Sequence, residues 1–262
     1  VYGKNTESDG TTVDRRGLSL GTRYSAGEGY SAALRAELRF EDSDNLARVQ
    51  DRQTLLLTGN FERKTSDDWR LIGNLDAVLS DADTDNLRDG RYVEAQLGYA
   101  YRPVDNDRLN ALISYTYLYD LPGADQVNLD GDTDGPRQRS HILNMAMNYD
   151  LNQQFTLGVK YGLRLRAEAP RDSDVFIKST AHLGILRLDY HVVHNWDIMV
   201  EGRAMAYPKS DTTELGALMG IYRDMGDNLR LGAGYSWGGV SDDLRSLEKN
   251  REGLFVNLIG KF

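Results

Sequence analysis

Apolar residues return at every second position along almost the whole chain, and one of the two faces they define carries no charge in its middle. Residues 229–262 show it most clearly. Leu229, Leu231, Ala233, Tyr235 and Trp237 alternate with Arg230, Gly232, Gly234, Ser236 and Gly238. A polar loop, 241–252, follows. Leu254, Val256, Leu258, Gly260 and Phe262 then alternate with Phe255, Asn257, Ile259 and Lys261. Period two over about ten residues specifies a strand with two different faces.

The same rhythm runs from the start. Leu18, Leu20, Thr22 and Tyr24 form one row, and Tyr30, Ala32, Leu34, Ala36, Leu38 and Phe40 the next, across the short turn 26–29. Further rows begin at Leu55, Trp69, Val93, Leu109, Leu143, Phe155, Trp196 and Leu215. One strand, around 181–190, breaks the rule, because Leu183, Ile185, Leu186 and Leu188 change parity. The count is thirteen strands of roughly 9 to 12 residues, the length a tilted membrane strand needs. Short and long connections are expected to alternate strictly. The first full strand meets a short turn, so a strand must precede it, and Val1, Tyr2 and Gly3 read as its tail.

Composition fits a chain that spans a membrane with strands. Mean hydropathy is −0.54, and no run reaches the roughly 18 apolar residues of a transmembrane helix. A barrel conceals its membrane character because every second residue faces the lumen. The competing architecture is a soluble β-sandwich, whose core would be filled by large aliphatics. Here the uncharged face mixes Leu with Ala, Gly and Tyr. The expected fold is therefore all-β, a transmembrane antiparallel up-and-down β-barrel. Fourteen strands are expected, with twelve as the alternative, and with the first strand largely missing from the chain start. Residues 1–262 form one domain, read as the C-terminal part of a longer protein. No signal peptide begins the chain. By the class rule, short turns and the C-terminus face the periplasm of the bacterial outer membrane. Aromatic residues flanking the short turns would form an interfacial girdle, with Phe40, Tyr117, Tyr119, Tyr235 and Trp237 at the other interface.

Several segments carry a closer resemblance. They are residues 101–110, 115–122, 139–143, 149–151, 194–197 and 241–244, and the ending Asn257, Leu258, Ile259, Gly260, Lys261 and Phe262. Together they resemble the C-terminal barrel of very large bacterial surface proteins with repeat domains upstream. The resemblance implies a barrel that anchors or translocates a covalently linked N-terminal passenger, with no catalytic residues. The last strand, with Leu254, Val256, Leu258 and the terminal Phe262, resembles the signal read by barrel-assembly machinery. Outer-membrane lipid and lipopolysaccharide are the other expected partners.

Chemistry-bearing groups are few. There is no cysteine, which excludes disulfides and thiolate metal sites. Ser140 and His141 are adjacent, so on a strand they point to opposite faces and cannot form a dyad. His191 and His194 flank a short turn, where a metal is possible in principle but an interfacial polar role is simpler. No enzymatic motif is present, and the chain is expected not to be an enzyme. Asp130, Asp132 and Asp134, with Gly131 and Gly135, match the first half of a calcium loop. The usual Glu at its twelfth position is replaced by His141, and a solvated acidic loop is the simpler alternative. No other cofactor is expected.

Parity also assigns the inner wall. It places Arg35, Arg39, Arg70, Arg164, Arg166, Arg187, Arg203 and Arg230 in the lumen. In all, thirteen basic residues stand against seven acids, a surplus of six in a chain of net charge −9. That pattern suits an anion-preferring or general diffusion pore, or a hydrated interior stiffened by cross-strand ion pairs. The acidic outer loops exclude nucleic acid as a partner. Anchor and pore are thus the two surviving functions.

Overall fold

The computed structural model describes residues 2–8, 11–27, 29–43, 52–82, 90–121, 136–170, 173–193, 195–226, 229–245 and 252–260. Its fourteen strands are β1 (Tyr2–Ser8), β2 (Thr11–Ala26), β3 (Tyr30–Ser43), β4 (Arg52–Lys64), β5 (Trp69–Ala82), β6 (Gly90–Tyr101), β7 (Leu109–Leu121), β8 (Arg137–Asp150), β9 (Phe155–Ala169), β10 (Ile177–Val193), β11 (Trp196–Tyr207), β12 (Thr212–Asp224), β13 (Leu229–Trp237) and β14 (Gly253–Gly260). They form one antiparallel sheet in which each strand pairs with its neighbour in sequence. This is the up-and-down order of the barrel expected from the alternation.

The first strand differs from expectation. Rather than a three-residue tail, β1 runs for seven residues and pairs with the start of β2, from Tyr2 opposite Gly17 to Ser8 opposite Thr11. Residues 11–17, which precede the first apolar row at Leu18, are strand as well. Hydrophobic alternation reports a strand only where one face meets lipid. Here the extension is held by charge: Glu41 accepts from Arg15 Nε at 2.6 Å and from Arg52 Nε at 3.0 Å. Connections also fail to alternate strictly. The link 208–211 is short although it lies at the end that carries the long loops.

Registers fix the two faces. Leu18 opposes Leu38, Leu38 opposes Leu55, and Leu55 opposes Leu79, so the apolar rows join into one outer band. Large apolar side chains stand bare on it, with Leu20 77 % and Leu215 70 % exposed. A surface of that kind needs lipid rather than water against it. Leu254, Val256 and Leu258 belong to the same band, while Phe262 lies outside the described residues. The parity question at β10 is resolved by its pairing with β9. His182, Leu186 and Leu188 join the outer rows, and Leu183 and Ile185 point inward.

Aromatic residues mark the short-turn end. Tyr24 meets Tyr30 at 5.9 Å between ring centroids, Trp69 stacks on Tyr99 at 4.6 Å, and Phe155 stacks on Tyr190 at 4.7 Å. Arg223 lies 5.3 Å above the Trp196 ring. In the turn after β4, the hydrogen-bonded Lys64 holds the Asp67 carboxyl below the usual carboxylate range.

The face assignment has a direct test. Val200→Arg places a charge on the outer band and is expected to lower folding stability in liposomes by about 2–4 kcal/mol. Met199→Arg, one residue away on the inner wall, is expected to leave the heat-modifiable folded band unchanged. Equal loss from both would invert the faces.

Candidate functional site

The connection between β13 and β14 does not stay at the rim. Gly238 and Gly239 both have positive φ, 77° and 48°, which turns the chain sharply as it leaves Trp237. A Cβ on Gly238 would sit 2.2 Å from the Leu215 carbonyl oxygen, so only glycine permits this close approach. The segment 240–245 then lies against the inner wall. Val240, 3 % exposed, and Leu244, 0 % exposed, pack with Ile142, Ala181, Leu183, Ile185 and Met205, with Tyr207 at the margin. Gly162 and Gly216 face the segment and leave it room. A Cβ at Gly162 would fall 2.6 Å from Leu244 Cδ1, and one at Gly216 would fall 3.1 Å from Val240 Cβ.

Basic residues of the wall hold the segment by its backbone. Arg164 Nη1 donates to the carbonyls of Leu244 at 2.8 Å and Arg245 at 3.1 Å, and its Nε donates to Ser140 Oγ. Arg203 Nη1 donates to the Val240 carbonyl at 2.9 Å, and Lys160 Nζ to that of Asp242 at 2.5 Å. Arg245 reaches across to Glu94 on β6 at 3.1 Å. Ordering the eight residues 238–245 costs roughly 8–16 kcal/mol of backbone entropy. Burying two aliphatic side chains returns only about 3–6 kcal/mol. The charge-assisted bonds, about 1.5–3 kcal/mol each, must therefore supply the larger share.

The segment divides the lumen. Behind it, Thr116, Ser140, Ile142, Arg164, Leu183, Glu201 and Met205 are buried. On the opposite wall, Arg23, Arg35, Arg39, Thr58, Asn60, Asn74 and Asp76 are all exposed. A recess of about 450 Å³ lies over β2 to β5, and a smaller one of about 250 Å³ touches Lys160, Arg187, Glu201 and Asp242.

The eight arginines expected in the lumen all fall on the inner face by register, in two groups rather than one wall. Arg35, Arg39 and Arg70 lie on β3 and β5, and the other five on β9 to β13. Most pair with an acid on the same or a neighbouring strand. Glu37 joins Arg35 at 2.9 Å and Arg39 at 2.7 Å, Arg70 meets Glu62 at 2.6 Å, and Arg166 meets Glu168 at 3.0 Å. Arg187 meets Asp189 at 3.0 Å and Arg203 meets Glu201 at 2.5 Å, while Arg230 on β13 reaches past β12 to Asp197 on β11. Arg164 is given over to the segment and Ser140.

The expected surplus of six positive charges is corrected. Arg102 and Arg108 lie in the turn after β6, outside the strands, and Lys261 lies outside the described residues. The strands extend further than the apolar pattern, so Glu41, Asp120, Asp150, Glu168, Glu214 and Asp224 join the inner face, as do Arg15, Arg52 and Lys64. The inner face of β2 to β14 thus carries thirteen basic and thirteen acidic side chains.

The remaining residues singled out by sequence separate cleanly. Ser140 points inward to Arg164, whereas His141 points outward and meets the Tyr115 hydroxyl through Nδ1 at 2.6 Å. His191 Nδ1 pairs with Asp197 at 2.5 Å. Asp130, Asp132, Asp134 and His194 lie outside the described residues, and among the described residues no group of three or more potential ligands could hold a metal. Residues 240–245 were the part not foreseen. Their signals were the Gly238-Gly239 pair, two aliphatics in a polar loop, and the parity change at β10, where Leu183 and Ile185 form the floor beneath Leu244.

A single antiparallel sheet with a bare apolar outer band, a charged inner face and a segment folded against that face defines a bacterial outer-membrane β-barrel. Solved structures of that class share the fold. The siderophore receptor PirA from Pseudomonas aeruginosa superposes with a TM-score of 0.62 at 11 % identity, over 89 % of this chain and 43 % of that one. The copper transporter OprC gives 0.54 at 11 % identity, over 95 % and 48 %. The ferric citrate transporter FecA gives 0.51 at 15 % identity, over 88 % and 42 %. The chain spans less than half the length of these three proteins. No curated protein sequence matches it. Residues 27–171 match the family described as "Putative MetA-pathway of phenol degradation", and the chain belongs to that family.

Displacing Leu244 tests the geometry of the segment. Gly162→Phe removes its seat, and losing about 1.5–3 kcal/mol of burial is expected to raise cleavage by trypsin at Arg245 roughly ten- to hundredfold. Gly184→Phe, at a position with open space around it, is expected to leave that cleavage rate unchanged.

Proposed function

We propose that the protein is a diffusion channel of the bacterial outer membrane, narrowed on one side by the segment 240–245. The observation that carries this reading is the contrast between the two walls. The wall behind the segment is largely buried, while the wall formed by β2 to β6 presents charged and amide side chains to open space. A barrel of about fourteen strands is wider than the eight-stranded kind that side chains alone fill, so half-filling still leaves a path for water. Short turns and the C-terminus face the periplasm, following the rule of the class.

Selectivity in this reading is weak and set by the open wall. There, Arg15, Arg23, Arg35, Arg39, Arg52, Lys64 and Arg70 face Glu37, Glu41, Glu62, Asp76 and Glu94. A modest preference for anions follows. Arginine remains charged at every relevant pH, so the preference persists from acid to neutral solution. The second reading, an anchor or translocator for an N-terminal passenger, draws on the sequence resemblance and on the segment that occupies part of the lumen.

Planar bilayer recording separates the two. A channel should show a reversal potential favouring anions under a salt gradient, fading as the Debye length falls from roughly 10 Å at 0.1 M to 3 Å at 1 M. Replacing Arg164 and Arg203 together by Ser frees the segment and is expected to raise or destabilise the single-channel conductance. A correctly folded but silent barrel, unchanged by that pair of substitutions, would favour the anchor.

A further inference from the structure

We propose that the recess over β2 to β5 is a binding site for a small zwitterionic solute, with Arg23 and Arg35 taking its carboxylate and Asp76 its ammonium. This inference deepens the channel reading and rests on it. Register places the groups in two rows across neighbouring strands. The first row is Gly21, Arg35, Thr58, Asp76 and Glu94, and the second is Arg23, Ala33, Asn60, Asn74 and Gln96. Adjacent strands lie roughly 4.8 Å apart, so the backbones of Arg35 and Asp76 are about 10 Å apart. Between them is the recess of about 450 Å³.

Charge pairing makes this recess unlike the rest of the inner wall. Most inner-wall arginines have an acid within reach. Arg23 and Asp76 make neither a hydrogen bond nor an ion pair among the described residues, and both are exposed to the lumen. Arg35 bonds Glu37 and, through Nε, Ser19 Oγ at 3.1 Å, yet its side chain stays 61 % exposed and has donors to spare.

Asp76 also sits directly opposite Glu94, an arrangement of like charges that is unfavourable on a sheet. Glu94 is relieved by Arg245 and by the Tyr92 hydroxyl at 2.6 Å. Among the described residues Asp76 has no such relief, and a mobile cation group supplies it. Three strands away, the guanidinium of Arg23 stands in the complementary position for an anion.

The floor between these charges is polar and neutral. Thr58, Asn60 and Asn74 offer hydroxyl and amide groups, and Asn74 already donates to Gln96 at 3.3 Å. Gly21 and Ala33 keep the floor low. Among the lining residues the one large aliphatic, Leu34, belongs by register to the outward-facing row, and Ala33 adds only a methyl group. A solute with two negative charges would meet Asp76 and Glu94, and one with two positive charges would meet Arg23 and Arg35. Selection by mismatch of this kind favours one charge of each sign.

Glutamine, butyrate and butylamine serve as probes, each applied to the folded protein in two ways. One is current block in planar bilayers. The other is saturation-transfer NMR on the detergent-folded protein, which reads binding whether or not the barrel conducts. Glutamine is expected to block and to bind more strongly than either singly charged probe. Asp76→Asn is expected to weaken glutamine by about fivefold while strengthening butyrate, as suits a solvent-exposed pair. Arg23→Gln is expected to weaken glutamine to a similar extent while strengthening butylamine. Folding of both variants is checked by heat-modifiable migration. A conducting barrel in which all three probes act alike, or in which neither variant changes their order, overturns the site and leaves the channel intact. A silent barrel that still binds glutamine with that order of variants supports the site and overturns the channel. A silent barrel without such binding overturns both.

Discussion

Within lipid, no backbone N–H or C=O can turn to water, so every strand must find its hydrogen bonds on its neighbours. That constraint explains why fourteen strands lie in sequence order in a single antiparallel sheet. It also dictates the chemistry of the side chains. Once the backbone is committed to pairing, only the two faces remain free to differ. One face must satisfy hydrocarbon, and it does so with Leu, Val, Ala, Gly and Tyr. The other inherits all the charge that the span contains.

A charged inner face in a narrow space creates its own problem, because each charge is partly removed from water and surrounded by others. The wall answers it locally. Arginine and carboxylate alternate two residues apart on one strand, as in Arg35, Glu37 and Arg39, or Glu201 and Arg203. Side chains two apart on a strand share a face, so the solution needs no long-range design. The segment 240–245 exploits the same supply of cations differently. Arg164, Arg203 and Lys160 donate to its backbone carbonyls, so its position depends little on which side chains it carries, apart from the two aliphatics that seat it.

Sequence disclosed those features that lipid imposes and concealed those that the interior imposes. The outer rows, from Leu18 to Leu258, were legible because a lipid-facing strand tolerates no exception at mid-depth. Thirteen strands were legible from the apolar rows and turns, and the need for one before them from the direction of the first. The strand at Tyr2–Ser8 and the extension at 11–17 were not, because beyond the membrane both faces are polar and period two vanishes. The same blind spot hid six rim acids, and with them the balance of charge in the lumen. The inner positions of the eight arginines followed from parity alone, but parity says nothing about partners, so Glu168 beside Arg166 was missed. At β10 the signal was present and its cause was not evident. A strand apolar on both faces must be covered on both, by lipid over Leu186 and Leu188 and by something else over Leu183 and Ile185.

That second cover has a wider consequence. An apolar patch on the inner wall of a hydrated barrel would be costly if left bare, at about 25 cal/mol for each Å². Ile142, Leu183, Ile185 and Met205 therefore make sense only together with Val240 and Leu244, and the two sets must be considered as one core. The core occupies one side of the lumen because its glycines, Gly162 and Gly216, lie on β9 and β12 and nowhere near β2 to β5. Asymmetry follows directly. The side with the core is filled by the packed segment, and the side without it keeps its exposed arginines, amides and Asp76 in contact with solvent. In a sheet whose backbone is uniform from strand to strand, it is this small internal core that decides where anything can pass or bind.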